Sequence, residues 1–170
     1  MDFLFLVARV LHVTLGVFWA GALVFNAAFL FPAMRDAGPD GAKVAAGLMR
    51  RRFLNIIPVA ALLTVVSGSY LYWVASAGFS AAYMGSPMGM TYGFGAIAAL
   101  SALGLGLAVL RPSMLRAAAL SQAAAGAPPV ERDRALAEAQ ALRARAGAAG
   151  QVVAWLLGGT ADAMALARYV

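Results

Sequence analysis

Cysteine is absent from this sequence, which removes disulfides, thiolate metal sites, iron–sulfur clusters and cysteine nucleophiles in one step. Histidine occurs once, at His12, so no two histidines of one chain can bracket a haem, and no H-E-x-x-H zinc motif exists. A Walker A loop, a G-x-S-x-G elbow and a dinucleotide fingerprint are missing as well. Charge is scarce: 12% of residues are charged and 63% hydrophobic, where a soluble domain carries roughly 25% charged residues. So little charge cannot cover a soluble surface, and the composition is that of an integral membrane protein. The net charge of +6 does not point to nucleic acid, because the basic residues flank apolar runs rather than forming a soluble basic domain.

What is present is hydrophobic length. Four runs, 5–32, 53–75, 93–112 and 149–169, meet the length of about 20 residues that a membrane-spanning helix needs. The first run is too long for the apolar core of a cleaved leader, and no basic residues precede it. The connections differ sharply in charge. Residues 34–52 and 111–148 hold eleven of the thirteen basic residues, whereas 76–92 holds no charge. The positive-inside rule makes the first and third connections cytoplasmic and leaves both termini outside. The expected fold is all-α: one domain over 1–170, a four-helix transmembrane bundle, N-out and C-out, in the cytoplasmic (inner) membrane. Tyr70, Tyr72, Trp73, Tyr83, Tyr92 and Tyr169 then fall near the outer interface, where amphipathic rings are favoured. Pro128-Pro129 opens a helical cytoplasmic extension over about 129–148, with acids early and arginines late, as the helix dipole prefers. The third span extends inward past Pro112 towards Ala124.

A faint repeat runs through the chain. Leu30, Pro32 and Met34 close the first span, and Leu110, Pro112 and Met114 close the third, 80 residues on. The two halves would be helical hairpins of one orientation, related by an axis along the membrane normal. Other positions read as packing. Thr64, Ser67 and Gly68 line one side of the second span. Gly104 with Ala108, and Gly147, Gln151, Ala154 and Gly158, have the small-xxx-small spacing that lets helices approach closely. Asn55 and Pro58 mark a break, with the freed carbonyls met by neighbours.

The polar residues inside the spans define the candidate site. Arg9, His12, Gly16, Trp19 and Asn26 share one face of the first helix. Asp162 is the only acid inside any span, and an intramembrane charge ordinarily has a partner. Arg9 and His12 are its expected neighbours, giving a site in the outer half built from Arg9, His12, Trp19 and Asp162. The plainer reading is a structural Arg9–Asp162 ion pair. As a metal ligand, His12 suits haem, and Met84, Met88 and Met90 of the uncharged connection add soft donors suited to Cu(I). Methionine is also a common filler of apolar gaps.

These residues carry a family resemblance. His12-x6-Trp19-Ala20-Gly21-Ala22-Leu23, with Pro32 closing the span, resembles the first helix of the copper-resistance D (CopD) and HemJ-type protoporphyrinogen oxidase families. Met49-Arg50-Arg51-Arg52, Pro58, Leu63-Thr64 and Gly68 are similar to the HemJ second span, and Met164-Ala165-x-Ala167-Arg168-Tyr169 to the end of four-helix CopD-type relatives. The resemblance implies a four-helix membrane bundle with haem b or copper, His12 being the first candidate ligand. A third-span histidine and lysine and an Asn-Glu-x-Pro expected of the oxidase are absent, so a working oxidase of that type is not expected, and whether the chain is an enzyme at all is left open. Three functions follow: a haem or copper protein; a structural or accessory subunit of a larger membrane complex, with no cofactor; or a small transporter working as a homodimer. The lipid bilayer is the partner common to all three.

Overall fold

Prolines and glycines punctuate an otherwise continuous helical chain. The computed structural model describes residues 2–170, the side chain of Pro39 excepted. In it α1 spans Phe3–Phe25, α2 Phe31–Asp36, α3 Pro39–Arg50, α4 Phe53–Ala75, α5 Ala81–Met84, α6 Pro87–Leu105, α7 Arg111–Ala123 and α8 Pro129–Leu166. No strand occurs among the described residues. Asp2 caps α1 by accepting from the Leu4 N–H, and Ser86 caps α6 by accepting from Gly89, so both begin on a satisfied end. Three helical stretches are long and apolar enough to cross a membrane: Phe3–Asp36, Phe53–Ala75 and Pro87–Gly126.

The joins α1–α2 and α6–α7 are π-helical turns, Asn26–Leu30 and Gly106–Leu110. Each precedes a proline, Pro32 or Pro112. A proline has no N–H for the carbonyl four residues back, and its ring crowds that carbonyl. Widening the preceding turn relieves the conflict: Phe31 N–H bonds to the Asn26 carbonyl and Arg111 N–H to the Gly106 carbonyl. The 80-residue repeat is therefore structural as well as sequential.

The columns α1, α4, α6 and α8 pack around one core of Trp19, Leu23, Ile57, Ala61, Ala102, Val153 and Leu157, with Ala99 and Leu103 half-buried against it. The repeat reappears there. Trp19 and Leu23 match Ala99 and Leu103 at the 80-residue offset. Ile57, Ala61, Asn55 and Thr64 match Val153, Leu157, Gln151 and Thr160 at 96 residues. Where one half has Trp19 the other has Ala99, so the pair fills the core with one large ring.

Each seam of this ring carries a hydrogen bond: His12 with the Thr64 carbonyl, Tyr72 Oη to the Gly89 carbonyl at 2.9 Å, Thr160 Oγ1 to the Gly95 carbonyl at 3.2 Å, and Gln151 Nε2 to the Ala27 carbonyl at 2.8 Å. Beyond the core, α7 and the first half of α8 form an antiparallel hairpin. Its seam is alanine at heptad spacing: Ala117 and Ala124 against Ala139 and Ala146, the latter two wholly buried. Arg116–Glu138 and Arg143–Ser121, each at 2.6 Å, bridge its exposed rim.

Several expectations are corrected. The third helix starts at Pro87, not 93, because Ser86-Pro87 caps it and the 76–92 connection is largely helical. The extension running without a break into the last apolar run, as its sequence suggests, is borne out: the two are one helix, α8. Gly104, Gly147 and Gly158 do not make close helix contacts; a Cβ on any of them would meet nothing within 4 Å. Close approach falls instead at Gly16, Gly95 and Gly150.

Candidate functional site

The periodicity of α1 puts Ala8, Trp19, Leu23 and Asn26 on its buried side, with His12 half-buried on the same face. Opposite His12, α4 offers Thr64, Ser67 and Gly68. Thr64 Oγ1 bonds back to the Ala60 carbonyl at 2.8 Å, and Ser67 Oγ to the Leu63 carbonyl at 2.6 Å. Their hydroxyls are thus spent on their own helix, and the Thr64 carbonyl, which also accepts from Ser67 Oγ at 3.1 Å, is the acceptor facing α1.

His12 Nδ1 lies 2.9 Å from that carbonyl oxygen. A carbonyl only accepts, so Nδ1 carries the hydrogen and donates it, and the lone pair of the neutral ring resides on Nε2. The ring fits because residue 68 is glycine: a Cβ there would lie 2.6 Å from His12 Cε1 and 2.8 Å from Nδ1. One turn further in, Gly16 lets Thr64 Cγ2 come to 3.4 Å of where its own Cβ would be. A backbone carbonyl that holds one ring nitrogen of a histidine and directs the other outward is the usual support of a metal-ligating imidazole.

The remaining candidates are dispersed. Trp19 is in the core at 3% exposure, two turns inward of His12. Arg9 and Asp162 are both exposed, and neither belongs to an ion pair among the described residues. The α1–α8 seam is held by Gln151 and by Val153 and Leu157 against the Trp19–Leu23 side, with no Arg9–Asp162 strut. Met84 ends α5, while Met88 and Met90 sit in the first turn of α6. The Tyr72–Gly89 bond ties that turn to α4 one helical turn beyond Gly68. No three His, Cys, Asp or Glu side chains converge among the described residues.

A second polar assembly lies at the arginine-rich end. Pro58 lies inside α4 without breaking it. Having no N–H, it leaves the Leu54 carbonyl without its helical partner. Arg111 Nε donates to that carbonyl at 3.1 Å, and Arg111 Nη2 to Asn55 Oδ1 at 3.1 Å. The proline and asparagine foreshadowed this latch, and Arg111, just before Pro112, was the overlooked half. At the other end, Thr64 and Gly68 looked like generic packing residues. Their signal was a carbonyl and a gap placed opposite the sole histidine.

An all-helical bundle of membrane-crossing helices with one backbone-anchored histidine is the class these observations define. Comparisons with protein-family models, with curated proteins and with solved structures find no match to this chain.

Proposed function

We propose that the chain is a CopD/HemJ-like four-span membrane protein, N-out and C-out, in which His12 Nε2 is an axial ligand to haem b. The observation that carries this reading is the Nδ1–Thr64 carbonyl bond in the space left by Gly68, which fixes the tautomer and leaves Nε2 free. The donor chemistry suits haem: the one imidazole of the chain, His12, would hold it through Nε2, and this chain has no other histidine to contribute. Haem held there would supply a one-electron redox centre or a site for a diatomic ligand. The chain itself orients the imidazole through Nδ1 and leaves Nε2 without a hydrogen-bond partner among the described residues. The fourth span is the apolar half of α8, which packs in the same ring as the other three.

Copper is the second reading. It is favoured by the placement of Met84, Met88 and Met90 together at the α5–α6 corner, on the same outer side as His12. Purified protein from cells supplied with haem precursor and copper separates the two by its absorption spectrum and metal content. A Soret band lost in His12→Ala is expected for haem; one copper per chain, lost in His12→Ala and in the triple Met→Leu variant, for copper. Colourless, metal-free protein refutes both.

A further inference from the structure

Around the first turn of α4, charge and an apolar crevice meet. Arg50, Arg51 and Arg52 are consecutive and exposed, and Arg52 has a left-handed backbone, φ 56°, that turns the chain from α3 into α4. Arg111 reaches the same turn through Leu54 and Asn55, using two of its five guanidinium hydrogens and leaving three. None of these four arginines forms an ion pair among the described residues. The nearby acids of the same connection, Asp36 and Asp40, are taken by Arg35 and Lys43. From Arg111 an apolar crevice runs between α4 and α6 towards the middle of the bundle, lined by Ile57, Ala61, Ala102, Leu103, Leu107 and, at its inner end, Trp19. Apart from Arg111 its lining is apolar. The charged mouth lies at the end of the spans and the crevice extends along them.

We propose that this corner binds one anionic phospholipid, its phosphate on Arg111 and the Arg50–Arg52 triplet and one acyl chain in the α4–α6 crevice. Each half of the argument selects one half of the ligand. Four unpaired guanidinium groups call for an anion, and a crevice that opens along the spans calls for a hydrocarbon chain. A free anion satisfies only the first, and a zwitterionic lipid leaves the excess positive charge unmet. The inference rests on the membrane class of the chain and is independent of His12.

Native mass spectrometry of the full chain in detergent tests it, with phosphatidylglycerol and phosphatidylcholine of identical chains added in turn. Phosphatidylglycerol should stay bound where phosphatidylcholine is shed. In Arg51→Gln/Arg52→Gln its apparent affinity should fall by roughly fivefold for each arginine removed. Arg134→Gln, exposed on α8 away from the corner, should leave that affinity unchanged. Equal retention of the two lipids, or an unchanged affinity in the double variant, overturns the proposal. Displacement of the bound lipid by millimolar inorganic phosphate also overturns it, since the site would then recognise a free anion. The double variant removes exposed side chains without hydrogen-bond partners, so its folding is expected to survive, and a wild-type unfolding midpoint checks that.

Discussion

Gly68 decides where the only imidazole can sit. The missing Cβ is the whole of the room that the ring occupies, so Gly68→Ala should push His12 off the Thr64 carbonyl. Overpacking of this kind costs about 1–3 kcal/mol, and the lost hydrogen bond adds to it. A lowered unfolding midpoint in detergent is the expected result, together with a shifted or absent haem spectrum where haem is bound. An unchanged midpoint and spectrum would show that the ring has another place to go. The stripe of α1 was legible in the sequence because periodicity in an apolar helix has one meaning: the face with Trp19 and Asn26 is buried. Its charged ends were not. Arg9 and Asp162 look like a pair when only depth is counted, but depth leaves azimuth undetermined, and side chains at the same height can face away from each other. The Arg111 latch escaped notice for a related reason. Its acceptor is a carbonyl orphaned by a proline, and backbone acceptors have no letter in the sequence.

Among the elements, the α4–α5–α6 corner combines backbone strain with aromatic packing. Ala77, Gly78 and Phe79 are consecutive residues of positive φ, two of them not glycine. Ser76, wholly buried, accepts the Phe79 N–H at 2.8 Å and holds this turn. Tyr72 packs at 6.0 Å from both Phe79 and Tyr83. Gly89 is obligatory in this corner, because a Cβ there would collide with the Tyr83 carbonyl. Partial burial, with Tyr92 and Tyr72 nearby, raises the Tyr83 phenol above its ordinary value of 10.0. A raised folded-state value means that the unfolded chain releases the proton first. The contribution of Tyr83 to stability is therefore complete below 10.0 and declines as pH rises from there through the folded-state value. Alkaline titration should show a tyrosinate forming above the ordinary value of 10.0, and Tyr83→Phe should remove that step. This corner was read as a loop because it lacks charge; α5 is only four residues long, and α6 starts early behind its Ser86 cap, a serine that resembles a turn residue.

At the scale of the whole molecule, the asymmetry of charge and the ring of four columns together make orientation a testable matter. All basic residues except Arg9 and Arg168 lie on α2, α3, α7, the first half of α8 and the turns joining them. An external-type reporter fused at Ser86 should be active and one fused at Ala124 inactive, with the reverse for an internal-type reporter. Activity of an external reporter at Ala124 would reverse the proposed orientation. Three of the apolar runs were legible as helices long enough to cross a membrane because bilayer thickness sets helix length, and 53–75 coincides with α4 to the residue. The four-seam ring was less so, because its bonds join residues of different helices. The two π turns have a further consequence. Each adds one residue to its column at mid-chain, and a residue of α-helix turns a column by about 100°. Removing that residue would re-aim everything C-terminal to it, carrying Arg111 off Leu54 in one column and turning α2 in the other. The two ends of this bundle thus have separately set azimuths, so the aim of the histidine end does not dictate the aim of the arginine corner.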